Sequence, residues 1–383
     1  MATLLQVLGA KNLCGLIQAI KPGLAADILP AELLAPGRTV EGNYGTYRKV
    51  VGERRMARVA MYGSASQVRE LKGVSEIPVT LMHTIESSNF PPAMLQNLTK
   101  IDAEDKQKNA VEEIARQTAD FHDLFENLRV AAVTCLLAFG KLWFDAAGNL
   151  LLPQVAPNGT LTAPTGYMYA VDMTIPSANQ GQLNINGNII SATWATTSND
   201  IITQIKNLKV AARKQTGYRL KNVFYGSNVL QYLNNNTGIQ AYMRHNTGYQ
   251  EAFKQLEIPD GFLGLNWHPM EEAFYSTPNV PQTSQNLDNS AAVSIWPGDL
   301  CVFTPEISPE WYELIQGTYP VRTSVQEDDS AEDLAKSIKN VAGMFAYAYV
   351  TKDPMGIKEV AGDTFLPLIK VPAAVFQATV AGF

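Results

Sequence analysis

The sequence predicts a mixed α+β fold organised around one long amphipathic helix at Asp102–Gly140. Lys106–Phe139 contains no proline or glycine, and its apolar residues recur at steps of three, four and seven, the spacing of one helix face. Strand-like segments lie on both sides, and a helix, a strand and a helix follow further along the chain. The predicted apolar face is Val111, Ile114, Phe121, Leu124, Phe125, Leu128, Ala132, Cys135, Leu136 and Phe139.

The composition limits the classes of protein this chain can be. With 383 residues, 46% of them hydrophobic, it can bury a large core in two or three lobes. Its formal net charge of −6 is unlike that of a protein that wraps nucleic acid in positive charge. The three cysteines are far apart, with no metal-binding spacing, so we expect small buried side chains in a reducing compartment. No signal peptide is evident and no apolar run approaches 18 residues, so we expect a soluble intracellular product without a membrane helix.

The N-terminal segment 1–36 is rich in leucine and alanine and is divided by Pro22, Pro30 and Pro36. This pattern predicts short helical pieces that cannot bury their apolar side alone. We expect the segment to lie over another surface; an ordinary N-terminal subdomain helix is the alternative.

Residues 37–86 are predicted to form two strands, Tyr44–Val51 and Glu76–Ile85, joined by a polar, basic segment. From Arg48 to Lys72, seven basic residues oppose Glu53 and Glu70. The segment is either a solvated loop, as charge runs usually are, or an arm that contacts an acidic surface of a neighbouring copy. The candidate contact residues are Arg48, Lys49, Arg54, Arg55, Arg58, Arg69 and Lys72.

After the long helix, Lys141–Leu150 reads as a strand that runs into a turn. A helix capped by Ser198 or Asn199 is predicted to end at Gly217, and the strand Leu220–Tyr225 and a further helix follow. This order indicates an α/β or α+β lobe. Leu300–Thr304 is a candidate buried strand.

The most acidic stretch of the chain contains Glu327, Asp328 and Asp329. It is either a solvated loop or the partner of the basic loop. A short helix at Leu334–Val341 is predicted next. Four strands are then predicted: Met344–Thr351, Ile357–Val360, Leu366–Val371 and Ala373–Val380.

No motif in the sequence indicates catalysis. The four histidines lack HExxH or paired metal spacing, and the serines that follow glycine do not form a GxSxG nucleophile elbow. Neither GxxxxGK[ST] nor GxGxxG is present. We therefore predict no enzyme activity, no cofactor and no metal site.

The order of these elements resembles the major capsid protein of tailed bacteriophages, with the HK97 fold, and specifically the lambda-type family. The resemblance covers roughly residues 25 to 383. It rests on Tyr44–Arg48, Met61–Ser64 and Lys72–Val79 in the loop, Glu126–Val133 and Phe139–Leu142 in the spine helix and first strand, Ile201–Ala212 and Val223–Leu230 in the axial lobe, and Leu366–Val375 near the end.

The resemblance implies five regions: an N-terminal arm (1–36), an extended hairpin loop (37–86), a peripheral domain with a spine helix and the first sheet strands (87–160), an axial domain (161–343) and returning C-terminal strands (344–383). It implies pentamers and hexamers of this chain in an icosahedral shell around double-stranded DNA, with arms and loops lying over neighbours.

The same resemblance implies portal and scaffolding partners, possible decoration proteins, weak DNA contact without sequence specificity, and a place in the virion after assembly in the host cytoplasm. Two alternatives remain at this stage: an encapsulin-like compartment with the same fold, and a stand-alone α/β enzyme or binding module.

Overall fold

The computed structural model describes residues 10–20, 28–51, 73–90, 92–93, 96, 104–146, 148–155, 161–181, 184–185, 188–189, 193–244, 247–255, 257–259, 261–270, 273–275, 292–322, 338–352 and 355–381. The helices are α1 Ala10–Ala19, α2 Ala31–Leu34, α3 Glu104–Phe139, α4 Ile201–Thr216, α5 Ser227–Asn235, α6 Thr237–Met243 and α7 Thr247–Lys254. The longer strands are β1 Pro36–Val40, β2 Tyr44–Val51, β3 Gly73–Thr80, β4 Met82–Phe90, β5 Lys141–Phe144, β9 Tyr169–Asp172, β13 Leu220–Tyr225, β14 Asn266–Pro269, β17 Leu300–Pro305, β18 Tyr312–Arg322, β19 Ile338–Ala342, β20 Phe345–Lys352, β21 Met355–Ile369 and β22 Phe376–Thr379. Shorter strands are β6 Leu150–Leu151, β7 Gln154–Val155, β8 Leu161–Thr162, β10 Gln180–Gly181, β11 Asn184–Ile185, β12 Asn188–Ile189, β15 Ala273–Tyr275 and β16 Ala292–Ser294.

The predicted long helix is confirmed as α3, which has 36 residues and is therefore about 54 Å long at 1.5 Å per residue. It ends where expected, because Gly140 has a φ of 67°, a left-handed conformation that glycine adopts without strain. The Gly140 amide donates to the Leu136 carbonyl oxygen. Residues 129–140 are buried on every side, so the second half of α3 lies inside the molecule.

The apolar face of α3 was predicted correctly in most positions. Ile114, Phe121 and Phe125 are buried, as are the predicted positions from Ala132 onwards. Val111 and Leu124 are the exceptions, since they are 37% and 51% exposed. Leu128 is half-buried. The first half of the helix contacts the sheet through a narrower apolar stripe than its spacing suggests.

A six-stranded sheet lies against α3 and is built on the 15-residue strand β21. The first half of β21 pairs with β20 on one side and β4 on the other, and its second half pairs with β18. The sequence predicted two short strands here, Ile357–Val360 and Leu366–Val371. They are one continuous strand, because Asp363 and Thr364 between them have hydrogen-bonding partners inside the protein.

A second, five-stranded sheet has the order β10-β22-β17-β13-β14 and carries α4 to α7. All six residues of β17 are buried, which confirms the predicted Leu300–Thr304 strand. A separate core surrounds this sheet, with Trp194, Phe262 and Phe303 among its fully buried side chains. Gln377 of β22 donates to the Leu137 carbonyl oxygen of α3 over 2.7 Å, and this buried bond ties the lobe to the long helix.

Three local predictions were wrong. The predicted helix at Leu334–Val341 lies partly outside the described residues, and its remainder is strand β19, which pairs with β18 along its whole length. The cap of α4 is Asp200, whose carboxylate accepts from the Thr203 amide, and not Ser198 or Asn199. The predicted strand Glu76–Ile85 is two strands, β3 and β4, separated at Leu81.

The described parts of the N-terminal segment pack on their own chain. Leu13 and Ile17 of α1 are buried in the core between α3 and the sheet. The Gln18 side chain donates to the Met344 carbonyl oxygen, and the Cys14 thiol donates to that of Ala346. α1 therefore lies over a surface of its own chain, and contact of the N-terminal segment with a neighbouring copy stays a prediction. All three cysteines are buried and free, as predicted. In the described part of the chain, no helix is long and apolar enough to cross a membrane.

Candidate functional site

The root of the predicted contact loop is the hairpin formed by β2 and β3. Eight residue pairs join the two strands in register, from Tyr44 opposite Thr80 to Val51 opposite Gly73. The hairpin forms a sheet of its own and pairs with no other described strand. At its base, Val79 is buried and Ile77 partly buried in the central core, and the Arg38 guanidinium donates to the Thr46 carbonyl oxygen. An isolated two-stranded hairpin is at best marginally stable in water.

Only two of the predicted contact residues lie in the described hairpin. Arg48 and Lys49 are in β2, opposite Glu76 and Ser75 in the strand register. Their side chains lie outside the described parts, as do all of the following: Arg54, Arg55, Arg58, Arg69, Lys72, Glu327, Asp328 and Asp329. Contact between the basic loop and the acidic stretch therefore stays a prediction.

The interface between α3 and β21 contains buried polar side chains that the sequence analysis missed. We call them the polar seam: Thr118, His122, Glu126 and Arg129 of α3, with Glu359 and Asp363 of β21. The helix members follow each other at steps of four, four and three, which places them on one face. The strand members are four residues apart and share the face of the sheet that meets the helix.

One end of the polar seam is a buried ion pair. Arg129 Nε and Nη2 donate to the two carboxylate oxygens of Asp363 over 2.6 and 2.8 Å. Both residues are buried, and the guanidinium also lies over the Phe365 ring, 5.3 Å from its centroid. Two parallel charge-assisted bonds fix the orientation of helix and strand more strictly than an apolar contact would. The pair therefore fixes how α3 sits on the sheet.

The other end holds a carboxyl group without a countercharge. Glu359 is fully buried; its Oε1 lies 2.6 Å from the Thr118 hydroxyl, and no described residue donates to its Oε2. Burial raises the pKa of Glu359 to about 7, and the Thr118 hydroxyl offsets this only in part. The Thr118 hydroxyl also lies 2.9 Å from the Ile114 carbonyl oxygen. It has one proton and cannot donate to both oxygens, so a protonated Glu359 satisfies the group better than an ionised one.

His122 lies between these two ends. Its Nε2 is 3.6 Å from Glu126 and its Nδ1 is 3.6 Å from Asp123. The three residues offer ligand atoms within 4.8 Å of one another, so they are the described residues that could hold a metal ion. However, the two short distances use different ring nitrogens, and one ion cannot bind both. This geometry does not suit a metal centre, and neither distance is short enough for a hydrogen bond.

The polar seam left a signal in the sequence. Thr118, His122, Glu126 and Arg129 repeat with helical spacing beside the apolar stripe, and Glu359 and Asp363 share the alternation of one strand face. Periodicity of apolar residues does not detect it, because polar positions are normally assigned to solvent. The six residues of the polar seam are buried between α3 and β21, so we interpret the seam as a structural contact between the helix and the sheet.

Comparison with known proteins identifies solved structures with a similar fold. No protein-family model matches the sequence, and no curated protein matches it. Solved structures do match over nearly the whole chain. A prophage protein of E. coli CFT073, assigned as a capsid protein, is 11% identical with a TM-score of 0.52, covering 98% of this chain and 99% of its own.

Two further solved structures give lower scores. A phage-related protein of Bordetella bronchiseptica RB50 is 11% identical with a TM-score of 0.47, covering 98% of both chains. The mature capsid of bacteriophage PhiM1 is 10% identical with a TM-score of 0.42, covering 90% of this chain and 86% of its own. Of these three structures, only the E. coli prophage protein has a TM-score above 0.5, and the assignment of the fold rests on it. The chain has the α+β fold of a phage capsid protein, as the resemblance to the HK97 fold predicted.

Proposed function

We propose that this chain is the structural subunit of a tailed-bacteriophage capsid, related to the lambda-type major capsid proteins. Copies assemble as pentamers and hexamers into an icosahedral shell that encloses double-stranded DNA. The observation that carries the proposal is the shared fold with a prophage protein assigned as a capsid protein, which extends over 98% of this chain. The role is structural and involves no catalysis or cofactor.

The architecture of the chain is consistent with a shell subunit. The β2–β3 hairpin pairs with no other described strand. This is what we expect of an element that lies on a neighbouring copy. α3 is held to the sheet by a bidentate ion pair, which gives the subunit a stiff centre. We assign residues 1–36 to an N-terminal arm, 37–86 to the loop, 87–160 to the peripheral domain, 161–343 to the axial domain and 344–383 to the returning strands.

The proposed contacts between copies use charge. The loop residues Arg54, Arg55 and Arg58 meet the acidic residues Glu327 to Asp329 of a neighbour, which orients the two copies and fixes their register. Portal and scaffolding proteins are the expected further partners, with a decoration protein on some shells of this kind. The expected location is the virion, after assembly in the host cytoplasm.

An encapsulin-like compartment is the nearest alternative, because it shares the fold and differs in what it encloses. The phage origin of the structure with the highest TM-score of the three favours the DNA-containing shell. A stand-alone enzyme or binding module is the further alternative, and it predicts a small monodisperse species.

Sedimentation velocity of the purified protein, followed by analysis of the contents, tests this proposal. A shell subunit gives pentamers, hexamers or closed particles far heavier than the 41.9 kDa chain. Particles purified from phage-producing cells should then contain nuclease-protected DNA. Particles filled with one protein would support the encapsulin-like alternative, and a monomer at every concentration and salt level would contradict both shells.

A further inference from the structure

The helix α4 and the strand that follows it concentrate positive charge in the smaller lobe. Between Ile201 and Asn222 there are six basic residues and no carboxylate, although the whole chain has a net charge of −6. We call these residues the α4 basic patch: Lys206, Lys209, Arg213, Lys214, Arg219 and Lys221. All are exposed except Lys209, which is half-buried.

The fold places at least four of these cations near one another. Ile201, Ile205, Leu208 and Ala212 bury one face of α4 in the lobe's core. Lys206, Lys209 and Arg213 follow at steps of three and four, so they form a row along the border of that buried face, and Lys221 lies near Lys209. Seven residues of helix separate the ends of the row, which is about 10 Å long at 1.5 Å per residue.

The patch lacks internal charge compensation. Within the described part of the chain, none of its six cations forms an ion pair. Burial and the nearby Lys221 ammonium lower the pKa of Lys209, whose Nζ donates to the Leu263 carbonyl oxygen. Two carboxylates lie at the margins of the α4 basic patch: Asp200 caps α4, and Glu310 lies beside Tyr218. The fold therefore holds like charges together at a cost that a bound polyanion would relieve.

The composition of the patch favours a nucleic acid over a protein as the occupant. Protein interfaces have an apolar centre and contain few lysines, whereas four of these six residues are lysine and Val210 is the only described large apolar residue exposed on α4. Duplex DNA presents a phosphate about every 3.4 Å along each strand, so a row of about 10 Å lies beside roughly three phosphates. A convex helix surface whose charges come from lysine and arginine can contact phosphates without reading bases.

We propose that the α4 basic patch is the surface through which this chain contacts the phosphate backbone of duplex DNA, without sequence specificity. The inference rests on the proposed shell function, and it adds which surface of the chain contacts the DNA. Outside the α4 basic patch and the basic loop the chain is acidic, and this acidic surface repels the same phosphates, which keeps the contact weak.

The test measures binding of a fluorescently labelled 30-base-pair duplex to the unassembled full chain by anisotropy, between 50 and 200 mM salt. The parent chain should bind with an affinity that falls steeply with salt. The double variant Lys206→Gln/Arg213→Gln should bind more weakly and lower the slope of log affinity against log salt by about 2, since each lost phosphate contact removes about 0.9. The control Lys11→Gln/Lys339→Gln removes the same charge from exposed positions on other elements and should leave the slope unchanged.

Equal effects of the two double variants would overturn the proposal, because only net charge would then matter. Salt-independent binding, or none, by the parent chain would also overturn it. If Lys206→Gln/Arg213→Gln prevents particle formation and leaves DNA binding intact, the patch is an interface between copies. Loss of binding with normal particles is the expected result. Failure of the parent chain to form any particle would instead count against the shell function.

Discussion

Two carboxyl groups on the same face of β21 meet different partners on α3. Asp363 meets the guanidinium of Arg129, whereas the hydroxyl of Thr118 is the one hydrogen-bond partner of the Glu359 carboxyl group among the described residues. The first carboxylate has a full countercharge and the second has none, so the two ends of the polar seam should respond differently to pH and to mutation.

Stability should depend on pH through Glu359. Its folded-state pKa of about 7 is above the ordinary value of 4.5, so folding favours the protonated form. Its stabilising contribution is therefore complete below about pH 4.5 and is lost as the pH rises through 7. We predict that Glu359→Gln raises the free energy of unfolding at pH 8 by up to about 3 kcal/mol, and by less at pH 5.

Urea unfolding of the unassembled chain at both pH values measures this effect. Glu86→Gln, an exposed carboxyl group on the neighbouring strand β4, is the matched control. A change of the same size at pH 5 and pH 8 would show that Glu359 does not titrate in this range.

Removing only one member of the Arg129–Asp363 pair should lower the free energy of unfolding strongly. Arg129→Met leaves a buried carboxylate without a partner, which costs about 3–5 kcal/mol in comparable sites. The double variant Arg129→Met/Asp363→Leu removes both charges and should lose clearly less than the sum of the single changes. Chemical denaturation of the four proteins in this cycle measures the coupling, and additive losses would mean that the pair does not join α3 to β21.

At the scale of elements, the orientation of α3 can be tested with two neighbouring residues. Phe125 is 1% exposed and packs in the core against the sheet, whereas Leu124 is 51% exposed. Phe125→Ala should therefore cost about 3–5 kcal/mol, and Leu124→Ala about 0.5 kcal/mol or less. Thermal unfolding of the two variants distinguishes the faces, and a larger loss for Leu124→Ala would reverse the assigned orientation.

The elements defined by local signals could be predicted from the sequence. α3, its stop at Gly140 and the strands Tyr44–Val51 and Leu220–Tyr225 each follow from periodicity, β-propensity or glycine geometry. β19 could not be predicted in this way, because its strand conformation comes from pairing with β18. A distant strand that supplies hydrogen bonds overrides a local helical pattern.

The candidate contacts could be predicted less well from the sequence. Charge in the loop is evident in the sequence, but the partner that we propose for it lies on a neighbouring copy, and the structure of one chain does not contain that contact. The polar seam was hidden for another reason: Thr118 and Glu359 are 241 residues apart, and nothing in either local sequence indicates that the other is present. Burial of polar side chains is decided by such distant pairs.

At the scale of the whole molecule, we predict that charge in the loop drives contact between subunits. Arg54→Glu/Arg55→Glu/Arg58→Glu should lower the yield of particles, because like charges would then face the acidic stretch. Exchanging Glu327, Asp328 and Asp329 for lysine in the same chain should restore assembly in part. Particle yield against salt concentration measures both effects, and an unchanged yield and salt response in the first variant would make the loop charge incidental.

The distribution of charge gives the molecule two different surfaces. Outside the basic loop and the α4 basic patch the chain is acidic and should repel DNA, whereas we propose that the α4 basic patch attracts it locally. Weak, salt-sensitive contact with DNA is what this arrangement predicts for the shell that we propose.

Negative-stain electron microscopy of the purified chain tests the central claim most directly. The proposed shell function predicts rings of five and six subunits or closed particles tens of nanometres across. A compact 41.9 kDa monomer that stays dispersed when concentrated, with and without crowding agents, would contradict the claim that this chain builds a shell.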